Sequence, residues 1–356
     1  MSAAETAGPP GPSGSGSLGS LGEFGLIRAL AARMPAGPLT SIGIGDDSAV
    51  LAAPSGSVVA AVDMLIEGRH FLRSWSSGRD VGVKAAARGL ADIAAMGAVP
   101  TALLVAFAAP SSLPASWALD LASGVASEAE RAGAGVVGGD TASADSVLVS
   151  VTALGELREL NELRELNDMS DMSPVRRSGA REGDVVAVCG ALGHSAAGHA
   201  LLSAGLREPG SLVAAHLRPA PPYDAGPEAA RLGATAMIDV SDGLLADLGH
   251  IAAASGVTID VSSAALVPPD DAPLWRAAAQ TPLSSRTDSG DSSRPQLLHW
   301  ILAGGEDHAL VATFPPDVAL PERWRVIGTV GPAASGDGVT VDGERYSGLP
   351  GWQHFR

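Results

Sequence analysis

Carboxylates carry the clearest chemical signal in this chain. In "GIGDD" (Asp46, Asp47), "VAAVDM" (Asp63), "GVVGGD" (Asp140), "AMIDVSDG" (Asp239, Asp242) and "LAGGED" (Glu306, Asp307), a short apolar run ends in an acid, usually beside glycine. In α/β folds the carboxyl ends of strands open onto the ligand crevice, so acids placed there tend to converge. Any one case also fits ordinary turn chemistry, in which Asp and Gly predominate. Five cases in one chain point to a shared crevice. Carboxylates gathered there repel one another unless a cation intervenes, and oxygen donors without His or Cys suit a hard ion such as Mg²⁺.

A second signal lies on a predicted helix over residues 79–98, closed by Gly97. Lys84, Arg88 and Asp92 follow one another at i,i+4, forming a polar stripe on an otherwise Ala-rich helix. A salt-bridged surface face would produce the same spacing. Lys84 is nevertheless the chain's only lysine, against 22 arginines. There is no G-x-x-x-x-G-K-[ST] loop, and the protein-kinase strings H-R-D and D-F-G are missing. "GALGHSAAG" opens a predicted helix and could offer backbone N–H groups to an anion, a weak motif. His70 and His250 lack metal-ligand spacing and read as structural, while Cys189, the single cysteine, reads as core.

The elements that must position these groups alternate between strands and helices. A helix over "EFGLIRALAARM" precedes strands at "SVVAAVDM", "TALLVAFA", "AGVVGGD" and "SVLVSVTALGE", with helices over 79–98 and "PASWALDLASGVASEAERAG" between them. Farther on, strands "DVVAVCG", "TAMIDV" and "HALVATF" alternate with helices "SAAGHALLSAG" and "DGLLADLGHIAAASG". The fold class is therefore α/β (mixed α+β), in two α/β domains as a chain of 356 residues implies. The expected division is a disordered tail over 1–22, an N-terminal domain over 23–156, a low-complexity insertion over 157–175 containing "LRELNELRELND", and a C-terminal domain over 176–356 with a polar loop at 279–296. A formal net charge of −16 argues against nucleic acid or an anionic membrane as partner. With no apolar run of membrane-spanning length, no signal-like start and no disulfide pair, the expected location is cytoplasmic.

Taken in order, "GIGDDSAVL", "VDMLIEGRHF", "KAAARGLADIAAMGAVP", "GGDT", "VTALGE", "RSGAREGDVVAVCGALGHSAAG", "IDVSDGLLADLGHI" and "GGEDHALVATFP" resemble the thiamine-monophosphate kinase family across residues 23–355. That family sits in a superfamily with aminoimidazole ribonucleotide synthetase, selenophosphate synthetase and a hydrogenase-maturation protein. The resemblance implies ATP-dependent phosphorylation of thiamine monophosphate to thiamine diphosphate, with several Mg²⁺ ions, in a homodimer whose N-terminal domain carries the ATP/Mg²⁺ site and the dimer contact. Carried over by motif, Asp47, Asp63, Asp92, Asp140, Asp239 and Asp242 would hold metal, and Gly139, Asp140, Arg177 and Ser241 would contact ATP. His70, Glu306 and Trp352 would lie on the substrate side, with Lys84 and Arg177 supplying positive charge and no residue acting as general base. Asp46 would support the loop rather than bind. One departure stands out: the family usually has Ser/Thr-Thr before the aspartate of "VDM", whereas this chain has Ala61 and Val62. A sibling enzyme acting on another acceptor, or a non-catalytic nucleotide- or thiamine-phosphate-binding paralogue, is the alternative reading.

Overall fold

The computed structural model describes residues 17–34, 37–44, 48–157, 173–281, 293–332 and 338–352. The first half contains α1 (Leu18–Leu21), α2 (Glu23–Ala31), β1 (Thr40–Ile42), β2 (Val50–Leu51), β3 (Val59–Ile66), α3 (Gly78–Ala95), β4 (Val99–Ala109), α4 (Ala115–Arg131), β5 (Gly135–Ser143) and β6 (Leu148–Glu156). The second contains β7 (Val185–Cys189), α5 (His194–Ser203), α6 (Gly210–Leu217), α7 (Ala225–Arg231), β8 (Ala236–Asp239), α8 (Leu244–Ser255), β9 (Thr258–Val261), α9 (Ser263–Leu266) and α10 (Pro273–Gln280). It ends with α11 (Ser293–Ala303), β10 (Leu310–Phe314), β11 (Arg325–Gly331) and β12 (Val339–Val341). A four-stranded sheet runs β3-β6-β4-β5, and a six-stranded sheet runs β12-β9-β11-β7-β10-β8.

Helix α3 lies between the two sheets, packing on β3, β4 and β6 of the first and on β8 of the second, with α4 alongside it. One apolar core runs from Leu103, Val149 and Val151 of the first sheet, through Leu90, Ile93 and Leu121, to Ala187, Cys189, Met237, Leu310 and Phe314 of the second. The alternate residues of β7, Val186 and Val188, face a separate core with Leu201, Leu248 and Ile301 on the far side of the six-stranded sheet. Being covered on nearly every side, α3 has room only for small apolar residues around most of its circumference. Its start is fixed by a capping box: the Ser77 hydroxyl accepts from Asp80 N, and the Asp80 carboxylate accepts from Ser77 N. Among the described residues nothing covers the outer face of the four-stranded sheet in the same way, and Val62 and Met64 of β3 stand open there, Val62 at 68% exposure.

Three glycines set how closely α3 and α4 approach. A Cβ on Gly78 would come within 2.1 Å of Trp117 O, one on Gly82 within 2.1 Å of Leu121 O, and one on Gly124 within 2.2 Å of Arg79 O. Each obstruction is backbone, so a rotamer change cannot relieve it.

Several expectations change. Asp63 and Asp140 lie inside β3 and β5 instead of after their ends, because both strands run on, to Ile66 and Ser143. "LAGGED" follows helix α11, not a strand. The tail ends earlier than residue 22: Ser17 bridges Pro114, and Leu18 N donates to Leu113 O. The 279–296 segment contains the end of α10 and the start of α11; residues 282–292, and 158–172 of the other insertion, lie outside the described residues. Strands β9 and β12, of four and three residues, are too short to show a period in sequence.

Gly82→Ala should lower stability in urea titrations by about 1–3 kcal/mol or more, as overpacking does. Gly249, in α8, provides the contrast, because a Cβ added there would meet nothing within 4 Å. Gly249→Ala should raise stability by up to about 1 kcal/mol through helix propensity.

Candidate active site

The polar stripe of α3 meets the second half of the chain at the seam between the two sheets. Lys84 is 2% exposed. Its Nζ donates to His70 O at 3.2 Å and to Glu306 Oε2 at 3.0 Å. One turn on, Arg88 Nη2 lies 3.3 Å from Asp63 Oδ1 and its Nη1 3.6 Å from Glu306 Oε1. The i,i+4 stripe is therefore no solvated surface face; its cations pair with acids from other elements. Asp92, a further turn along, has Asp63 and Asp239 as charged neighbours. Burial foremost, then the charges of Asp239 and Asp63, push the Asp92 carboxyl up to about 8.

Two loops bring the C-terminal acids to this seam. Residues 240–243 link β8 to α8, and residues 304–309 link α11 to β10. The loops lie against each other: Glu306 N donates to Ser241 O, His308 N to Val240 O, and Val240 N to Ala309 O. Gly305 permits the approach, since a Cβ there would sit 2.2 Å from Ser241 O. Glu306 and His308 both adopt left-handed backbone, with φ of 67° and 54°. Between them, buried Asp307 accepts from Gly193 N at 2.6 Å and Ser195 N at 2.8 Å at the start of α5. Burial raises the Asp307 carboxyl to about 7 against the pull of those donors. Asp247, in the first turn of α8, accepts from Asp242 N and Gly243 N. Burial, then the Asp239 charge, brings its carboxyl up to about 8.

Glu306 is the most strongly compensated acid of the site. Burial alone would raise its carboxyl, but Lys84, His216 and Arg88 outweigh it and hold the group at about 2. Burial and the nearby Lys84 push the His216 imidazole down to about 3. Its Nδ1 lies 3.1 Å from Ser195 Oγ and 3.7 Å from Glu306 Oε2. Trp75 meets His199 and His216 edge-on, with ring centres 5.7 and 6.4 Å apart.

The expected site residues divide accordingly. Asp63, Asp92, Asp239, Lys84, Glu306 and the backbone of His70 converge at the seam. Ser241 and Asp242 belong to its C-terminal loop, and Trp352, its side chain exposed, donates its backbone N–H to Asp242 O. Gly139 shares a sheet row with Asp63 through Val105 and Val151, on the opposite edge. Asp140, the next residue, lines up with Ala106, Ser150 and Met64 on the uncovered face. Three strand spacings separate the two edges, roughly 14 Å, so one copy of the chain does not bring Asp140 to Asp63. Arg177 is exposed, and its carbonyl accepts from Ser255 Oγ at the end of α8 remote from Asp242. The length of α8, about 18 Å, separates those ends. Asp47 and Asp46 lie outside the described residues.

Sequence reasoning missed four groups at the seam: the pairing role of Arg88, and His216, Asp247 and His308. For Asp247 the signal was available, an acid in the first turn of a helix opened by glycine. His216 and His308 carried none, since each owes its place to tertiary packing.

This architecture defines a class. Residues 45–157 match the family described as AIR synthase related protein, N-terminal domain, and residues 181–289 match the AIR synthase related protein, C-terminal domain. The chain is 49% identical over 325 residues to the thiamine-monophosphate kinase of Mycobacterium tuberculosis, covering 91% of this chain and 88% of that one. It also resembles the crystal structure of thiamine-monophosphate kinase from Stenotrophomonas maltophilia K279a, with 31% identity, a TM-score of 0.70, and coverage of 89% of this chain and 95% of that one. AaThiL complexed with AMPPCP and TMP aligns with a TM-score of 0.71 and 32% identity, covering 96% of this chain and 100% of that chain. The chain belongs to the thiamine-monophosphate kinase family.

Replacing Glu306 by Gln leaves Lys84 buried without its counter-charge, which should cost about 3–5 kcal/mol at neutral pH. Because the folded-state carboxyl sits at about 2, below its ordinary 4.5, its contribution is full above pH 4.5 and is lost as pH falls toward 2. The wild-type advantage over Glu306→Gln in denaturant titrations should therefore shrink across that window. A pH-independent difference would contradict the pairing.

Proposed function

We propose that the chain phosphorylates thiamine monophosphate to thiamine diphosphate at the expense of ATP, at the seam between its two sheets. The observation that carries this reading is the charge imbalance there. Six acids, Asp63, Asp92, Asp239, Asp242, Asp247 and Glu306, gather around two cations, of which Lys84 pairs with Glu306 and Arg88 is shared between Asp63 and Glu306. Among the described residues, no three His, Cys, Asp or Glu side chains form a preset cage for an ion. The donors fit Mg²⁺ nonetheless, because that ion keeps several waters and is usually held by one or two carboxylates plus substrate phosphates. Asp63, Asp92, Asp239 and Asp242 would hold it here, with Asp47 and Asp140 as further candidates. When bound, magnesium supplies charge neutralisation at the phosphoryl group being transferred.

The chain's own residues then have limited chemical work. The acceptor is a phosphate, with a second pKa of about 6, so it is already ionised at neutral pH and needs no protein base. Catalysis rests on positioning and on electrostatics. Arg88 orients Asp63 from the helix side, while Lys84 fixes Glu306 and leaves the His70 turn tied to α3. Ser241, Gly139, Asp140 and Arg177 are assigned to ATP, and His70, Glu306 and Trp352 to the substrate side; within one copy of the chain Gly139, Asp140 and Arg177 lie away from the seam. Ala61, on the Asp63 side of β3, supplies no hydroxyl, and Val62 points to the opposite, uncovered face, so magnesium would rely on carboxylates and water there.

A homodimer belongs to the same reading, supported by the uncovered sheet face around Val62 and Met64. The location is proposed to be cytoplasmic; no described helix is long and apolar enough to cross a membrane.

Incubating the purified chain with Mg·ATP and thiamine monophosphate should yield thiamine diphosphate and ADP in equal amounts. ADP formed only with another acceptor would move the chain to a sibling activity, and ligand binding without ADP would mark a non-catalytic paralogue. Asp92→Asn should lower kcat/KM by about 10²-fold or more, and Asp47→Asn should lose far more than Asp46→Asn. For the assembly, light scattering should find a wild-type dimer and a Val62→Lys monomer; a monomeric wild type would refute the dimer.

A further inference from the structure

His308 is absorbed by none of these assignments, yet its position is energetically unfavourable on its own. It is a non-glycine residue in left-handed backbone, with φ of 54°, a conformation that costs on the order of 1 kcal/mol or more. Its side chain is buried. Nδ1 lies 2.9 Å from Asp239 Oδ2, whereas Nε2 is buried with no hydrogen-bond partner among the described residues. Unsatisfied buried nitrogens are uncommon and disfavoured. The backbone on both sides is pinned: Asp307 is held by the start of α5, and His308 N donates to Val240 O. The loop thus delivers this imidazole to one oxygen of one carboxylate and accepts an unpaired nitrogen in doing so.

Asp239 is the acid that best explains such an arrangement. It ends β8, and its charge acts on both Asp92 and Asp247, placing it between the helix-side and loop-side acids. A carboxylate on so short a side chain can rotate about χ2, and fixing one oxygen fixes the other. We propose that His308 is a positioning residue that engages Asp239 Oδ2 through Nδ1–H, so that Oδ1 is presented to a divalent cation at the seam. The inference rests on the reading of Asp239 as a cation ligand. Carboxylates that bind metal are in turn hydrogen-bonded, and loss of such a partner typically weakens metal affinity about 10–100-fold.

The test uses Mn²⁺ as the probe, with binding to the full chain followed by electron paramagnetic resonance without nucleotide, alongside the Mg²⁺ dependence of turnover. His308→Phe keeps the ring shape and removes both nitrogens, His308→Gln places its amide nearer the position of Nε2, and His308→Asn places an N–H nearer that of Nδ1. Phe and Gln should each weaken Mn²⁺ binding by about 10-fold or more and raise the Mg²⁺ needed for half-maximal turnover, whereas Asn should stay within about 3-fold of wild type. Should the Phe variant not fold, the Gln and Asn pair carries the same contrast. Equal affinities in wild type, Gln and Asn, with Asp239→Asn defective, would overturn the role of His308 alone. Wild-type affinity in Asp239→Asn would remove the cation from Asp239 and the proposal with it.

Discussion

One buried lysine sets the constraint on which the seam depends. An ammonium enclosed on a helix whose other buried residues are Ala, Gly, Val, Leu and Ile is tolerable only if a counter-charge reaches it. For Lys84 the counter-charge is Glu306, 222 positions away in sequence. Meeting this requirement brings the 304–309 loop onto α3, and with it the left-handed backbone of Glu306 and His308, the anchoring of Asp307 on α5, and the contact between the two C-terminal loops. The close glycine packing of α3 on α4 keeps the helix at the depth where Lys84 and Arg88 reach across. The domain contact and the geometry of the site are one arrangement.

Around this pair the charges are unequal in effect. Glu306 is saturated with cations and held ionised at about 2, while Asp92 and Asp247 are pushed up to about 8 by burial and by other acids. Carboxylates in one small region thus fall into two groups, one already neutralised by the protein and one awaiting positive charge. Under the proposed function that division suits an acidic protein, because a cation and the phosphates would arrive together without displacing the lysine that joins α3 to the C-terminal loop.

Much of the fold was legible because its main elements repeat simple patterns: the Ala-rich period of α3, the apolar runs of β4, β6, β7 and β10, and the glycines that close helices. Asp239 and Asp242 followed the expected placement at a strand's carboxyl end. Asp63 did not, since β3 continues past it; an acid inside this edge strand is tolerated because it faces Arg88. The stripe on α3 was visible, but its partners were not. Periodicity reports which residues share a face, whereas what that face meets depends on long-range packing. The same limit hid His216 and His308, whose surroundings come from α5, α6 and β8. Short strands such as β12 were invisible for the simpler reason that so few residues carry no period.

The central claim is that the seam acids form the cation site. The most direct measurement is an anomalous-difference map from crystals of the full chain grown with Mn²⁺, a nonhydrolysable ATP analogue and thiamine monophosphate. The account predicts anomalous density among the carboxylates of Asp63, Asp92, Asp239 and Asp242, with Lys84 still paired to Glu306. Cation density elsewhere, with those four carboxylates free of metal, would contradict it.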